Sequence, residues 1–156
     1  MVSREIRESD YLLVITVLNE WWDGRQMADM LPRLFFKHFK HTSFIVEENE
    51  QILGFLIGFI SQTNLEQAYI HFIGIHPDHR GVGIGTKLYN KFFETVKEKG
   101  CKTVHLVTSP INQNSIAYHL KMGFKMEKSD TNKDGVWVHI GYDGPKEDRV
   151  LFTKEL

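Results

Sequence analysis

Between His76 and Leu88 the chain reads HPDHRGVGIGTKL, with Arg80 followed by glycines at 81, 83 and 85. Glycines at alternate positions let a backbone turn tightly and approach a ligand with no side chain in the way. An amphipathic pattern starts at once: Ile84, Leu88, Phe92 and Val96 recur at i+4 spacing until Gly100 stops them. A helix beginning there offers N–H groups without internal partners, at the end that carries roughly half a unit of positive charge. With Arg80 as a fixed cation, the combination suits a pyrophosphate. Two other glycine-rich motifs are excluded. A Walker A loop ends in Gly-Lys-Ser/Thr, whereas Gly85 is followed by Thr86 and Lys87. A dinucleotide fingerprint needs glycine at Thr86 and a strand running directly into its first glycine, but five polar or turn residues precede Gly81. Taken alone, the glycines fit a merely tight strand-to-helix loop equally well.

The elements around this loop follow from periodicity. A short first strand covers Val2 to Arg7, and Ser9 and Asp10 are N-cap residues for a helix carrying Leu12, Leu13, Ile15, Val17 and Leu18. After the Trp-rich break Glu20 to Arg25, a second helix is predicted from about Met27 to Phe39, with Pro32 in its first turn or kinking it. Strands follow at Thr42 to Glu47, Ile52 to Ser61 and Ala68 to Ile75, the first two joined by a turn at Glu48-Asn49-Glu50. Beyond the Gly83 helix come a strand at Lys102 to Thr108, a helix at Asn112 to Met122, strands around Phe124 and Trp137, and a last strand at Arg149 to Thr153. The order β-α-α-β-β-β-α-β-α-β-β implies a mixed sheet with helices on its faces.

Composition narrows the partners. At 156 residues, 42% hydrophobic and 25% charged, the chain is sized as one domain, 1–156, able to bury a core. A formal net charge of -1 provides no global field for nucleic acid or an anionic membrane, so neither is an expected partner. The single cysteine, Cys101, excludes an internal disulfide and a multi-Cys zinc site, and fits a reducing, cytoplasmic setting. The eight histidines include no His-Glu-x-x-His and no Cys/His zinc spacing, so no metal is expected. The charged start MVSREIRESD lacks a signal region, and Ile52 to Ile60 falls far short of the roughly 20 apolar residues of a membrane span.

Strand, Ile-x-Pro-x-x-Arg-Gly-x-Gly-x-Gly, then amphipathic helix resembles the acetyl-CoA signature of the GNAT superfamily of N-acetyltransferases. The family core Arg/Gln-x-x-Gly-x-Gly/Ala is matched by Arg80, Gly83 and Gly85. A second segment, PINQNSIAYHLKMGF from Pro110 to Phe124, resembles the family's Asn-x-x-Ala/Ser-x-x-x-Tyr-x-x-x-Gly-Phe helix. The resemblance covers the element order over almost the whole chain and is most specific from Tyr69 to Phe124. It implies a mixed, mostly antiparallel sheet of six to seven strands flanked by about four helices, and acetyl-CoA as co-substrate. Arg80, Gly81, Val82, Gly83, Ile84, Gly85 and Thr86 would hold its pyrophosphate, and Asn112, Ser115 and His119 take the asparagine, small-residue and tyrosine slots. Asn112 is also a good N-cap, and Asn114 takes its place if the register slips. In the fourth strand the resemblance implies a bulge at Phe72 to His76, with Ile73 and Ile75 as main-chain partners of the pantetheine arm. Gly74 fits that bulge or simple close packing.

Direct transfer needs a neutral amine, a base, and an acid for the departing thiolate. A CoA-type thiol with a pKa near ~8.5 leaves readily, so a partly protonated histidine at 119 suffices as acid; otherwise His119 is a solvated helix-face residue. Tyr118, about 100° around the helix, should face elsewhere. Where family members carry a strand glutamate this chain has Tyr69, which leaves the base open. His71, placed by strict alternation on one face with Tyr69, Ile73 and Ile75, is the first candidate; the other reading is a buried, hydrogen-bonded histidine. The acceptor, a small-molecule amine or an exposed amino group, would meet Trp21 and Trp22, with Asp23 or Glu20 attracting it, and Tyr142 and Asp143 in the polar segment VHIGYDGPKEDRV. The tryptophans equally suit core and rim, and the segment an ordinary solvated loop. A catalytically idle acyl-CoA-binding domain and an acetylase of protein amino groups are the competing classes, and the resemblance also admits a homodimer.

Overall fold

The computed structural model describes residues 1–22, 24 and 27–156. Strand β1 (Val2–Glu5) leads to helix α1 (Asp10–Trp21), a 3-10 turn (Ala28–Met30) and helix α2 (Leu34–His38). Strands β2 (Phe44–Glu48), β3 (Gln51–Ile60) and β4 (Gln67–Ile75) then meander antiparallel, before α3 (Ile84–Glu98), β5 (Thr103–Thr108) and α4 (Gln113–Lys121). The chain closes with β6 (Lys125–Met126), β7 (Thr131–Lys133), β8 (Val136–Val138) and β9 (Val150–Glu155). The sheet runs β1-β2-β3-β4-β5-β9-β6, with β7 and β8 forming a separate hairpin. Among the described strands only β4 and β5 pair in parallel, as the α3 crossover requires.

Two apolar layers fix the helices. On one face Ile84, Leu88, Phe92 and Val96 of α3 and Ile116 of α4 pack on Phe44, Leu56, Ile70, Val104, Leu106 and Phe152. On the other, Val14, Leu18 and Trp21 of α1 and Phe36 of α2 pack on Ile45, Phe55, Ile57 and Phe72. Each such side chain, fully buried, contributes about 1.5–3 kcal/mol. Glycines 54 and 58 in β3 let α3 lie close: a Cβ at Gly54 would fall 2.9 Å from Ile84, and one at Gly58 would overlap the Phe92 ring. That close approach sets the height at which the first turn of α3 meets the sheet.

Three expectations change. The second helix is split, because Leu31 ahead of Pro32 adopts φ -135°, ψ 65° rather than a helical conformation. Ser9 makes no side-chain cap to α1. Asp10 is drawn instead into a buried network: it accepts from both terminal nitrogens of Arg4 at 2.9 Å and from the Arg7 N–H at 2.7 Å, while Arg4 also binds Glu47. The bulge of β4 lies at His71, not at Phe72 to His76, since Ile57 faces Phe72 while Gly58 faces Ile70. His71 is the extra residue.

That bulge resets the side-chain phase. Ala68 and Ile70 point into the α3-side core, Phe72 into the α1-side core, and Ile73 and Ile75 again pack against the α3 side. Strict alternation therefore fails: Ile73 and Ile75 do not share the face of Tyr69 and His71. Gly74 is paired in register with Phe55, and a Cβ there would lie 2.8 Å from the Phe55 ring and 2.9 Å from Trp22. It marks close packing.

Candidate active site

Two of the three loop glycines owe their identity to conformation. Gly81 and Gly83 take φ of 80° and 90°, in the left-handed region that favours glycine, and nothing lies within 4 Å of a Cβ at either. Gly83 is the N-cap of α3, and the first helical hydrogen bond runs from the Lys87 N–H to its carbonyl at 3.0 Å. The N–H groups of Ile84, Gly85 and Thr86 precede that bond and have no partner within the helix. Val82 is exposed beside them, while Ile84 is buried and anchors the turn. Arg80 donates to the carbonyl of Trp21, the last residue of α1, at 3.3 Å, which holds its guanidinium at the mouth of the loop. Free N–H groups at a helix N-terminus and a neighbouring guanidinium together give this loop a positive potential.

Beside this cradle the sheet parts. The β4–β5 ladder joins only Gln67, Ala68 and Tyr69 to Thr103, Val104 and His105. From Ile70 to Ile75, β4 keeps β3 on one edge and, among the described residues, has no strand on the other. The His76 N–H bonds back to Leu53 at 2.8 Å, so His76 and Leu53 form a hydrogen-bonded antiparallel pair. Alternation then turns the N–H and C=O of Ile73 and Ile75 toward the gap. It lies between β4 and Leu106–Thr108 of β5, within reach of the cradle.

Helix α4 reverses the expected roles of two neighbours. His119 is neither solvated nor open to the gap: it is 6% exposed, with its ring among Tyr89, Phe124 and Phe152. Its Nδ1 lies 2.7 Å from the Ser115 carbonyl, which can only accept, so Nδ1 carries the proton and Nε2 accepts from the Tyr89 hydroxyl at 2.7 Å. Burial lowers the imidazole pKa, against the Ser115 bond that raises it. Asn112 does the work of an N-cap, its Oδ1 accepting from the Ser115 N–H at 3.1 Å. Tyr118, by contrast, carries its hydroxyl to the first turn of α3, where a Cβ on Gly85 would lie 2.8 Å from it. Helical phase alone could not tell which neighbour met the first turn of α3. Replacing His119 with phenylalanine should strand the Tyr89 hydroxyl and cost about 1–3 kcal/mol, seen as a lower Tm. Because the folded pKa is depressed, wild-type stability is full above about 6.5 and declines as pH falls below it, and the variant should lack that decline.

The face opposite α3 gathers the other candidates. His71 stacks on Phe35 with ring centroids 4.2 Å apart, and its Nε2 donates to the Met30 carbonyl, leaving Nδ1 as the lone-pair nitrogen of the neutral ring. Tyr69 packs on Phe59, and its hydroxyl is pushed up to about 12, first by burial and then by neighbouring Tyr142 and Asp143. Tyr142 is exposed, and Asp143 is paired with Arg149 at 2.8 Å, so its charge is already answered. Trp21 is in the core, stacked on Phe55, and Trp22 packs against Phe72 at the rim. Asp23 and Arg25 lie outside the described residues. This face also holds a residue that the motifs do not mark: His105, register partner of Tyr69, with ring nitrogens 2.9 Å from Thr103 Oγ1 and 3.1 Å from Thr153 Oγ1. Its signal was the alternation of Val104 and Leu106, which places His105 on the opposite face.

Comparison with known proteins agrees with this fold. Residues 7–124 match the profile described as the acetyltransferase (GNAT) family. The chain is 37% identical over 86 residues to an uncharacterized N-acetyltransferase of Methanocaldococcus jannaschii, covering 53% of this chain and 38% of that protein. It is 39% identical over 77 residues to the [ribosomal protein bS18]-alanine N-acetyltransferase of Haemophilus influenzae, covering 49% of this chain and 50% of that one. The chain thus spans half or less of the length of these two relatives. Its fold is similar to that of the Paenibacillus lautus diaminobutyrate acetyltransferase, solved with L-2,4-diaminobutyric acid and coenzyme A, with a TM-score of 0.74 at 21% identity over 97% of this chain and 92% of that one.

Proposed function

The chain belongs to the GNAT acetyltransferase family, and from that premise we propose that residues 1–156 form one N-acetyltransferase domain that passes the acetyl group of acetyl-CoA directly to a small amine. The observation that carries this reading is the adjacency of the open cradle at Arg80–Thr86 to the gap where β4 loses β5 beyond Tyr69. When bound, acetyl-CoA supplies an activated thioester carbonyl. Ile84, Gly85 and Thr86 donate their free N–H groups to its pyrophosphate, with Arg80 adding charge. The inward-turned peptide groups of Ile73 and Ile75 pair with the pantetheine arm as a strand would. The bulge leaves His71 without a register partner in β3, and a backbone N–H at this irregularity faces the thioester oxygen as charge develops on it.

The amine enters from the α1–α2 face, against Trp22, Phe72 and Tyr69. It arrives as an ammonium with a pKa of about 10.4, so it must lose a proton before attack. His71 accepts that proton, directly or through water, on the Nδ1 that its bond to Met30 leaves open. His105 is less available, because both its nitrogens contact threonine hydroxyls. No helix among the described residues is long and apolar enough to cross a membrane.

Release of free thiol from acetyl-CoA across a panel of small amines and N-terminal peptides tests the function. Small primary amines should turn over best. Tight CoA binding with no thiol release on any amine would mark an acyl-CoA-binding domain instead. In the same assay His71→Ala should lose the acid limb of the pH–rate profile and His105→Ala should keep it; the reverse outcome moves the base to His105.

A further inference from the structure

The third glycine of the cradle differs in kind from the other two. Gly85 sits inside the first turn of α3, where alanine is ordinarily the better residue, and it is absent from the positive-φ glycines. What a Cβ there would meet is the Tyr118 hydroxyl, at 2.8 Å, with the phenol ring carbon at 3.7 Å and the Ile75 side chain at 3.9 Å. The hydroxyl therefore lies between the first turn of α3 and the last residue of β4, where a ligand leaving the cradle must bend into the gap. The helix cannot easily turn away, because its next residue, His119, is locked to Tyr89 of α3.

We infer that Gly85 is small in order to admit the Tyr118 hydroxyl, and that Tyr118 is a donor-binding residue which gives its O–H to a phosphate or pantetheine oxygen at that bend. The inference rests on the reading of Arg80–Thr86 as the acetyl-CoA cradle. It makes Tyr118 a holder of the donor's arm and not the acid for its sulfur. Burial pushes the phenol pKa up, so the group keeps its proton at working pH. Tyr118 is 38% exposed, which leaves it reachable by a ligand.

A mutant cycle on the full chain tests this, reading CoA affinity by calorimetry and acetyl-CoA KM and kcat by thiol release. Tyr118→Phe should weaken CoA binding and raise KM about tenfold, the usual scale of a lost hydrogen bond to a charged group, with kcat at saturation changed less than twofold. Gly85→Ala should also weaken binding, since its Cβ displaces the hydroxyl. In the double variant the oxygen is gone, so Gly85→Ala should add no further loss beyond that of Tyr118→Phe alone. Independent, additive losses would show that Gly85 serves the ligand's approach, and unchanged affinity in Tyr118→Phe would remove Tyr118 from the site. A fall in kcat with KM unaltered would make it an acid instead and overturn the inference. Failure of the wild-type chain to bind CoA at all would sink the cradle reading itself, an outcome visible before any variant is made. Melting curves of all three variants distinguish lost binding from lost fold.

Discussion

Gly83→Ala is expected to weaken acetyl-CoA binding by at least ~10-fold while the protein stays folded, an effect of a few kcal/mol at most on the backbone it strains. Gly83 holds φ 90°, ψ 7° at the N-cap of α3. A Cβ there meets no protein atom within 4 Å, so crowding is not the cause. The cost is conformational: a left-handed residue with a Cβ loses about 1–2 kcal/mol, and the chain relieves it by rotating toward negative φ. Rotation at the N-cap swings the N–H groups of Ile84, Gly85 and Thr86 away from their common focus. Stability should fall only modestly, since the core beneath, from Ile84 to Val96, is untouched. Calorimetric titration with CoA and a melting curve separate the two effects, and unchanged affinity would show that aimed N–H groups are not what binds.

Asp10→Ala should cost about 2–4 kcal/mol, somewhat under the usual penalty for breaking a buried ion pair because Arg4 keeps Glu47. For a chain of this size that is a Tm lower by on the order of 5–15 °C. Asp10 is 4% exposed, and its loss leaves both Arg4 and the Arg7 N–H short of an acceptor. Burial raises the Asp10 pKa, but the bonds from Arg4 and Arg7 outweigh it and hold the carboxyl below its ordinary value. The sign follows from that depression. The contribution is full above the unfolded value of 3.8 and is lost as pH falls through the lower folded value. The gap in stability between wild type and variant should therefore narrow below about pH 3.8, which acid unfolding followed by circular dichroism checks.

How much of this was legible in the residues depended on whether the cause was local. The glycine turn into α3 was, because Gly81 and Gly83 encode a backbone conformation and the i+4 apolar series encodes the helix behind it. The meander and crossover were legible for the same reason. The bulge at His71 was not: inserting one residue into a run such as Ala68 to Ile75 leaves no mark on composition, yet it reverses which face Ile73 and Ile75 occupy. Nor could periodicity separate Tyr118 from His119, since both lie within reach of α3 and only packing against Tyr89 decides which turns inward. Strand β7 was missed because Thr131-Asn132-Lys133 carries no alternating pattern and pairs only with its hairpin partner. The pairing of Asp143 with Arg149 likewise arises from a fold-back of the chain, and it removes a charge that the sequence offered as free.

Hydrogen bonds knit β1 to β4 into one panel and β5, β9 and β6 into another, and the seam between the panels is three residues long on each side. Past that seam the panels are held as the covers of a half-open book are held by its spine, here α3, whose apolar side grips Phe44 and Leu56 on one panel and Val104 and Leu106 on the other. A ligand arm laid along Ile73 and Ile75 would add rungs where the ladder stops. In mechanical terms the donor would then be a missing stave and the loaded protein the stiffer one, so that the molecule consumed in the proposed reaction would also brace the sheet around it.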